Sequence, residues 1–360
     1  MPEGWEEIRA LLALSRVKGL GHERLRRLLA HFGTVQAVLK ASDWGCAIGK
    51  GGPWRRPGPA EFDWAEVQWK RLSAEGGRCL VPGDASYPEL LGQISSPPPI
   101  LFALGPDDLV GPTVAIVGPR KASGYGLQIA GELARGLVQR GVCIVSGMAY
   151  GVDAAAHEAA LAAGGRTIAV LGCGPDVPYP RAHTGLYRQI RERGAIVSEF
   201  AWGSQPNRQT FPQRNRIISG LSLGVIVIEA PQKSGSLITV THAVDQNREV
   251  FAVPGDVRSG ASAGCHRLIK DGAKLVEEVE DVLEELAGWA PPASKAMPLP
   301  ELPPEDARIY GLLSREPRHI DELAQDSTLP PQALLGSLLR LELDGLVDQL
   351  AGKRFLRRAG

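Results

Sequence analysis

The chain is poor in cysteine, with five in 360 residues at Cys46, Cys79, Cys143, Cys173 and Cys265. They lie far apart, and no CxxC pair or His/Cys cluster of zinc spacing occurs, which argues against a metal site or a redox centre. Cys143 and Cys173 sit in or just after apolar runs and read as small core residues. Long hydrophobic runs are missing too, since none approaches the roughly 20 residues a membrane helix needs. The opening Met-Pro-Glu-Gly-Trp-Glu-Glu is acidic where a signal peptide would be basic and then apolar. These absences predict a cytoplasmic protein with no disulfide, metal, cofactor or membrane partner. Net charge is also lacking: 40 basic and 40 acidic residues cancel, whereas nucleic-acid-binding domains are often strongly basic. The charges nevertheless segregate. Acidic residues crowd Glu277 to Asp281 and Glu284-Glu285, while basic ones recur in glycine-rich loops and in Lys353-Arg354-Phe355-Leu356-Arg357-Arg358.

What is present is the 44% hydrophobic, 22% charged composition of a soluble globular chain. Composition divides it into residues 1–75 with helical patterning, a long α/β middle over 78–288, a proline-rich linker over 289–304 and a helical tail over 305–360. In the middle, six short apolar runs read as buried parallel strands: Thr113–Val117, Val142–Val145, Thr167–Leu171, Ala195–Ser198, Gly224–Ile228 and Glu249–Val253. Helical periods separate them, as over Leu127–Arg140 and Val152–Ala163. Such alternation predicts a doubly wound, Rossmann-like parallel sheet, whose ligands bind in loops at the carboxyl ends of the strands.

Those loops carry the functional residues. After the first strand comes Val117-Gly118-Pro119-Arg120-Lys121-Ala122-Ser123: Gly118 permits a tight turn, Ser123 suits a helix N-cap, and Arg120 suits phosphate and base contacts. Pro119 and Arg120 break the GxGxxG dinucleotide pattern. The second strand ends in Ser146-Gly147, a small-residue loop whose N–H groups could face a phosphate, and is followed by Asp153 and His157, which read as structural. Further on, Arg208, Arg214 and Arg216 bracket Phe211 beside Asn215. Arginines tracking a phosphate backbone around a stacking aromatic suit single-strand binding, while an inward-packed Phe on a basic helix start fits the spacing equally well. Lys233-Ser234-Gly235-Ser236 opens another helix with small residues. Several such loops at one sheet edge suit a polyanion better than a single phosphate.

The runs VGPRKASGYG, SGMAYGVDAAAH, TIAVLGCGPDVPYP, FPQRNRIISGLS, KSGSLITVTHA and FAVPGD, in this order, resemble the DprA (Smf) family of bacterial DNA-processing proteins over about 80–288. The resemblance implies a single-stranded DNA-binding protein that protects the strand, loads the RecA recombinase onto it in natural transformation, dimerises through the Rossmann-like domain and performs no catalytic turnover. It implies DNA contacts from Gly118, Arg120 and Lys121, from Ser146 and Gly147, from a wall of Arg208, Phe211, Arg214, Asn215 and Arg216, and from Lys233 to Ser236. Pro119 and His183 depart from the residues usual in the family without removing a charge. The flanks agree. Val17-Lys18-Gly19-Leu20-Gly21 between two helices resembles a helix-hairpin-helix, or the family's N-terminal SAM-like module. Residues 320–343 read as helix-turn-helix followed by two wing strands, a winged helix. Its second helix carries Arg340 but also Glu342, with Asp344 just beyond, a poor set for reading duplex DNA.

Two rival functions fit the sequence less well. Nucleoside-monophosphate hydrolases of the lysine decarboxylase-like Rossmann group use a PGGxGTxxE loop, and here Ile238 and Thr239 occupy its acidic end, so the proposed base is absent. A regulator that senses a nucleotide and reads duplex DNA would need a better recognition helix.

Overall fold

A computed structural model of the chain describes residues 4–49, 52, 54–232, 234–286, 303–314, 318–327, 329–343, 346–350 and 352–357. The chain divides into two compact units, Met1–Pro292 and Ala293–Gly360. Of the expected linker, residues 289–302 lie outside the described residues, and Pro304 already opens a helix, Pro304–Leu312.

The first unit is built on a nine-stranded sheet. Its strands are β1 (Arg78–Leu80), β2 (Leu101–Leu104), β3 (Thr113–Val117), β4 (Cys143–Ser146), β5 (Thr167–Val170), β6 (Ala195–Ser198), β7 (Gly224–Val227), β8 (Glu249–Ala252) and β9 (Lys274–Leu275). They are ordered β1-β2-β6-β5-β4-β3-β7-β8-β9. From β6 to β9 all neighbours are parallel, and β2 is antiparallel to both β6 and β1. All six expected strands are present. The remaining three escape sequence reading because β1 and β9 are only three and two residues long, and β2 emerges from Pro97-Pro98-Pro99 with no alternation to mark it.

Burial on both faces explains the continuous apolar runs. Along β3 the side chains alternate. Val114 and Ile116 join the core under the Gly124–Gln139 and Val152–Ala162 helices, with Leu133 and Leu137. Ala115 and Val117 join the core on the other face, with Ile217, Ile218 and Val240 of the Thr210–Gly220 and Ser236–Asp245 helices. Chain order runs outward from β3 through β6, then returns to β7 on the other side of β3. The β3/β7 boundary is therefore the switch point, where adjacent crossovers diverge and leave a crevice.

Helices Trp5–Ser15, His22–Phe32, Val35–Lys40, Gly45–Ile48 and Pro59–Ala74 precede the sheet. Leu11, Leu14, Leu25, Leu28 and Leu72 bury a core continuous with Phe102, Leu104 and Leu171 of the sheet. Gln68 Oε1 accepts a 2.8 Å bond from the Trp202 amide across this junction.

The second unit packs helices Pro304–Leu312, Ile320–Ser327 and Pro331–Leu343 beside a three-stranded sheet of Arg318–His319, Arg354–Arg357 and Val347–Leu350. This is the winged-helix arrangement expected from sequence. Arg340 of the second motif helix is bound within the unit by Asp306, at 2.7 and 2.9 Å. The outer face of that helix presents Leu335 and Leu339 instead, each about half exposed.

Candidate nucleic-acid interface

Close packing aligns the loops at the carboxyl edge of the sheet. Gly118, after β3, lies where a Cβ would meet Val152 at 2.5 Å, and Gly151 (φ +78°) turns the β4 loop hard against the carbonyl of Pro119. Ser123 caps its helix, its Oγ accepting from the Gly126 amide at 3.0 Å, and also donates to Glu229 at the end of β7. The Glu229 carboxylate accepts the Ser123 amide at 3.0 Å as well, and a Cβ on Gly126 would strike it at 2.6 Å. The β3 and β7 loops are thereby tied together across the switch point.

An open cleft of about 720 Å³ follows. It is lined by Gly118, Pro119 and Arg120 from the β3 loop, Ala149 and Asp153 after β4, and Tyr179 after β5. Arg208, Phe211, Pro212, Arg214 and Asn215 line it after β6, with Ser234, Gly235 and Ser236 after β7. The Arg120 guanidinium lies 5.3 Å over the Phe211 ring, and Tyr179 stands 5.5 Å from the same ring. Arg120 and Arg208 are exposed and Phe211 half-buried. Thr210 fixes this corner by donating to the Gly172 carbonyl at 2.6 Å. The combination offers cations for phosphate oxygens and a π-face for a base.

The expected contacts thus separate into three groups. Gly118, Arg120, Arg208, Phe211, Asn215, Ser234, Gly235 and Ser236 converge on the cleft, with Lys121 exposed on the same loop as Arg120. Ser146, Gly147 and Arg214 lie beneath it. Ser146 is fully buried and donates to the Ile116 carbonyl at 2.7 Å. Arg214, 5% exposed, donates to the carbonyls of Val170 and Gly147, the latter at 2.9 Å, so its charge forms the floor of the cleft. Arg216 points elsewhere: it grips Glu199 with two bonds of 2.7 and 2.8 Å and reaches the Ser96 carbonyl. Lys233 lies outside the described residues. Tyr179, between two prolines in the β5 loop, is the cleft aromatic that motif reading left out, although an aromatic in a strand-end loop is a visible signal.

Burial dominates the titration of the floor. Desolvation lowers Arg214 to about 10, opposed by the nearby Asp153, and leaves it charged at neutral pH. The same desolvation raises Asp153, with Arg214 acting the other way. His157 is fully buried, bonded through Nδ1 to Thr167 Oγ1 at 2.6 Å and not to Asp153. Desolvation, then the charges of Arg214 and His183, push its pKa down to about 3. Below pH 6.5 the unfolded chain takes up a proton that the folded histidine refuses, so stability falls as pH drops from about 6.5 toward 3. Urea unfolding should show this: His157→Gln is expected to reduce the stability loss between pH 7 and pH 5 by about 2 kcal/mol. Equal losses in parent and variant would refute the assignment.

Among the described residues, no group of three or more His, Cys, Asp or Glu could hold a metal, and no helix is long and apolar enough to cross a membrane. Comparison with known proteins gives two family matches, the DNA recombination-mediator protein A model over residues 78–287 and the DprA winged helix domain model over 292–353. Protein Smf of Synechocystis is 36% identical over 96% of this chain and 98% of its own length. The crystal structure of DprA from Streptococcus pneumoniae superposes with a TM-score of 0.64 and 38% identity, covering 79% of this chain and 98% of that one. DprA from Helicobacter pylori, whose structure concerns a single-stranded DNA binding mode, superposes at TM-score 0.54 with 30% identity, over 60% of this chain and 97% of that one. With the mediator model spanning more than half of the sequence and its winged-helix companion following it, the chain belongs to the DNA recombination-mediator protein A (DprA/Smf) family.

Proposed function

We propose that this chain binds single-stranded DNA in the cleft at the carboxyl edge of its sheet, and that it does so without chemical turnover. The observation that carries the reading is Arg120 stacked over Phe211 at the mouth of that cleft, with Arg208 exposed beside them. A guanidinium and an aromatic at one strand-sized groove provide a phosphate contact and a base platform together, independent of base identity. On this reading residues 78–288 form the binding domain, between a SAM-like segment over 1–75 and a winged helix over 305–360. The protein works in the cytoplasm as a homodimer joined through the Rossmann-like domain, protecting strands and loading RecA onto them in natural transformation. Glu229, five residues before the Ser234–Ser236 loop that a nucleotide hydrolase would use, is buried and bonded to Ser123, which supports binding over hydrolysis.

Fluorescence anisotropy with single-stranded and duplex oligonucleotides of equal length, at two salt concentrations, tests the proposal. The expected result is tight, salt-sensitive binding that prefers the single strand. Preference for duplex would shift the role to the winged helix, and failure to bind either would make AMP hydrolysis the next assay. Deletion of residues 296–360 is expected to leave single-strand affinity within about twofold, because Leu335 and Leu339 face outward where a DNA reader would carry cations or amides. A tenfold or larger loss in that truncation would assign DNA contact to the winged helix.

A further inference from the structure

The cleft is not where the groove ends. Pro212 lines a second depression of about 900 Å³ as well, on the far side of the Thr210–Gly220 helix. One wall of this depression comes from the sheet domain, with Phe200 and Arg216. The other comes from the N-terminal helices, with Gly21 just before the His22–Phe32 helix and Arg24 and Arg27 along its first half. This is the glycine turn whose resemblance to a helix-hairpin-helix the single-strand cleft leaves unused.

We infer that a bound DNA strand continues from the cleft over Pro212 into this groove, where Arg24 and Arg27 hold its phosphates and Phe200 offers a face to a base. The inference rests on the cleft being the single-strand site, and four observations support the continuation. The two depressions share the exposed Pro212, so a strand passing over that residue reaches both. The groove's carboxylates are already matched: Glu199 is gripped by Arg216 at 2.7 and 2.8 Å, and both Glu23 oxygens by Arg26 at 2.9 and 3.2 Å, while Arg27, whose Nε touches Glu23 at 3.0 Å, leaves more than half of its side chain exposed. Arg24 is exposed, bonded to the Gly19 carbonyl at 2.8 Å and resting 4.7 Å over the Trp54 ring, so among the described residues it brings positive charge with no carboxylate partner. Finally, the half-buried Phe200 and the exposed Pro212 supply apolar surface between the cations, the alternation that single strands use and a folded acidic partner would not need.

Strand length separates this inference from the cleft itself. Fluorescein-labelled oligothymidylates of ~6 and ~25 nucleotides, lengths chosen around the span of single-strand sites, are titrated into the full chain. The parent is compared with Arg24→Gln/Arg27→Gln, Arg27→Gln alone and Phe211→Ala. The double variant is expected to bind the short oligonucleotide within about twofold of the parent and the long one about tenfold more weakly. Its salt slope on the long strand should fall by about 1.4, the value for two lost phosphate contacts on a single strand. Arg27→Gln alone should give roughly half that slope change, which guards against a folding defect in the double variant. Equal weakening on both lengths would overturn the inference, as would an unchanged long-strand affinity, which would leave the groove to a protein partner. If Phe211→Ala binds both lengths like the parent, the cleft reading fails first. If Phe211→Ala weakens both and the arginine variants weaken neither, the continuation alone fails.

Discussion

Phe211→Ala is expected to weaken single-stranded DNA binding by about tenfold to a hundredfold while leaving the protein folded. Loss of a base-stacking aromatic costs about 1–3 kcal/mol, and Phe211 is half-buried with its ring facing Arg120 and Tyr179, not the sheet core. Arg120→Ala should cost about tenfold and lower the salt slope by about 0.7, one phosphate contact on a single strand. Because the two side chains touch, the double variant is expected to lose less than the product of the single losses. Anisotropy titrations across a salt series measure both quantities. A folded double variant with parental affinity would rule out the cleft as the binding site.

Arg214→Ala should fail differently. Its guanidinium is buried under the cleft, holds the carbonyls of Gly147 and Val170 and lies near the buried Asp153. Truncation strands these acceptors and removes the charge that opposes desolvation of Asp153, a loss of about 3–5 kcal/mol of folding stability. Urea unfolding is the direct measurement, with Arg208→Ala as the comparison: Arg208 is exposed in the same cleft, so its loss should lower affinity and leave the unfolding midpoint in place. If Arg214→Ala unfolds at the parental midpoint but binds DNA poorly, its role is at the strand and not in the floor. Reduced DNA binding by Arg214→Ala, taken without a stability measurement, would thus misassign a supporting residue as a contact.

Arg214 and Arg216 show how far a linear reading reaches. The motif FPQRNR displays three cationic or aromatic positions, Phe211, Arg214 and Arg216, and nothing in their order distinguishes them. On a helix, residues two apart are separated by about 200°, so Arg214 and Arg216 must face opposite ways once Thr210–Gly220 is helical. Which of them faces the sheet depends on how that helix is docked, and Ile217 and Ile218 settle it by burying against Val225 and Val227. Arg214 then points down to the β4 and β5 ends, and Arg216 away to Glu199.

The local signals were enough for the architecture. Apolar runs of four or five residues specify buried strands, since only a sheet covered on both faces hides every side chain, and Ser123 announces its helix by the chemistry of a cap. The edge strands β1 and β9 carry too few residues for a period to register, and β2 follows three prolines with no alternation to mark it. The sequence by itself therefore determined the doubly wound sheet, the winged helix, the family and the loops that matter. Tertiary structure alone decided which side chains of those loops share one cleft, because strand order places β3 between β4 and β7 and helix docking selects one arginine for the floor and another for the surface.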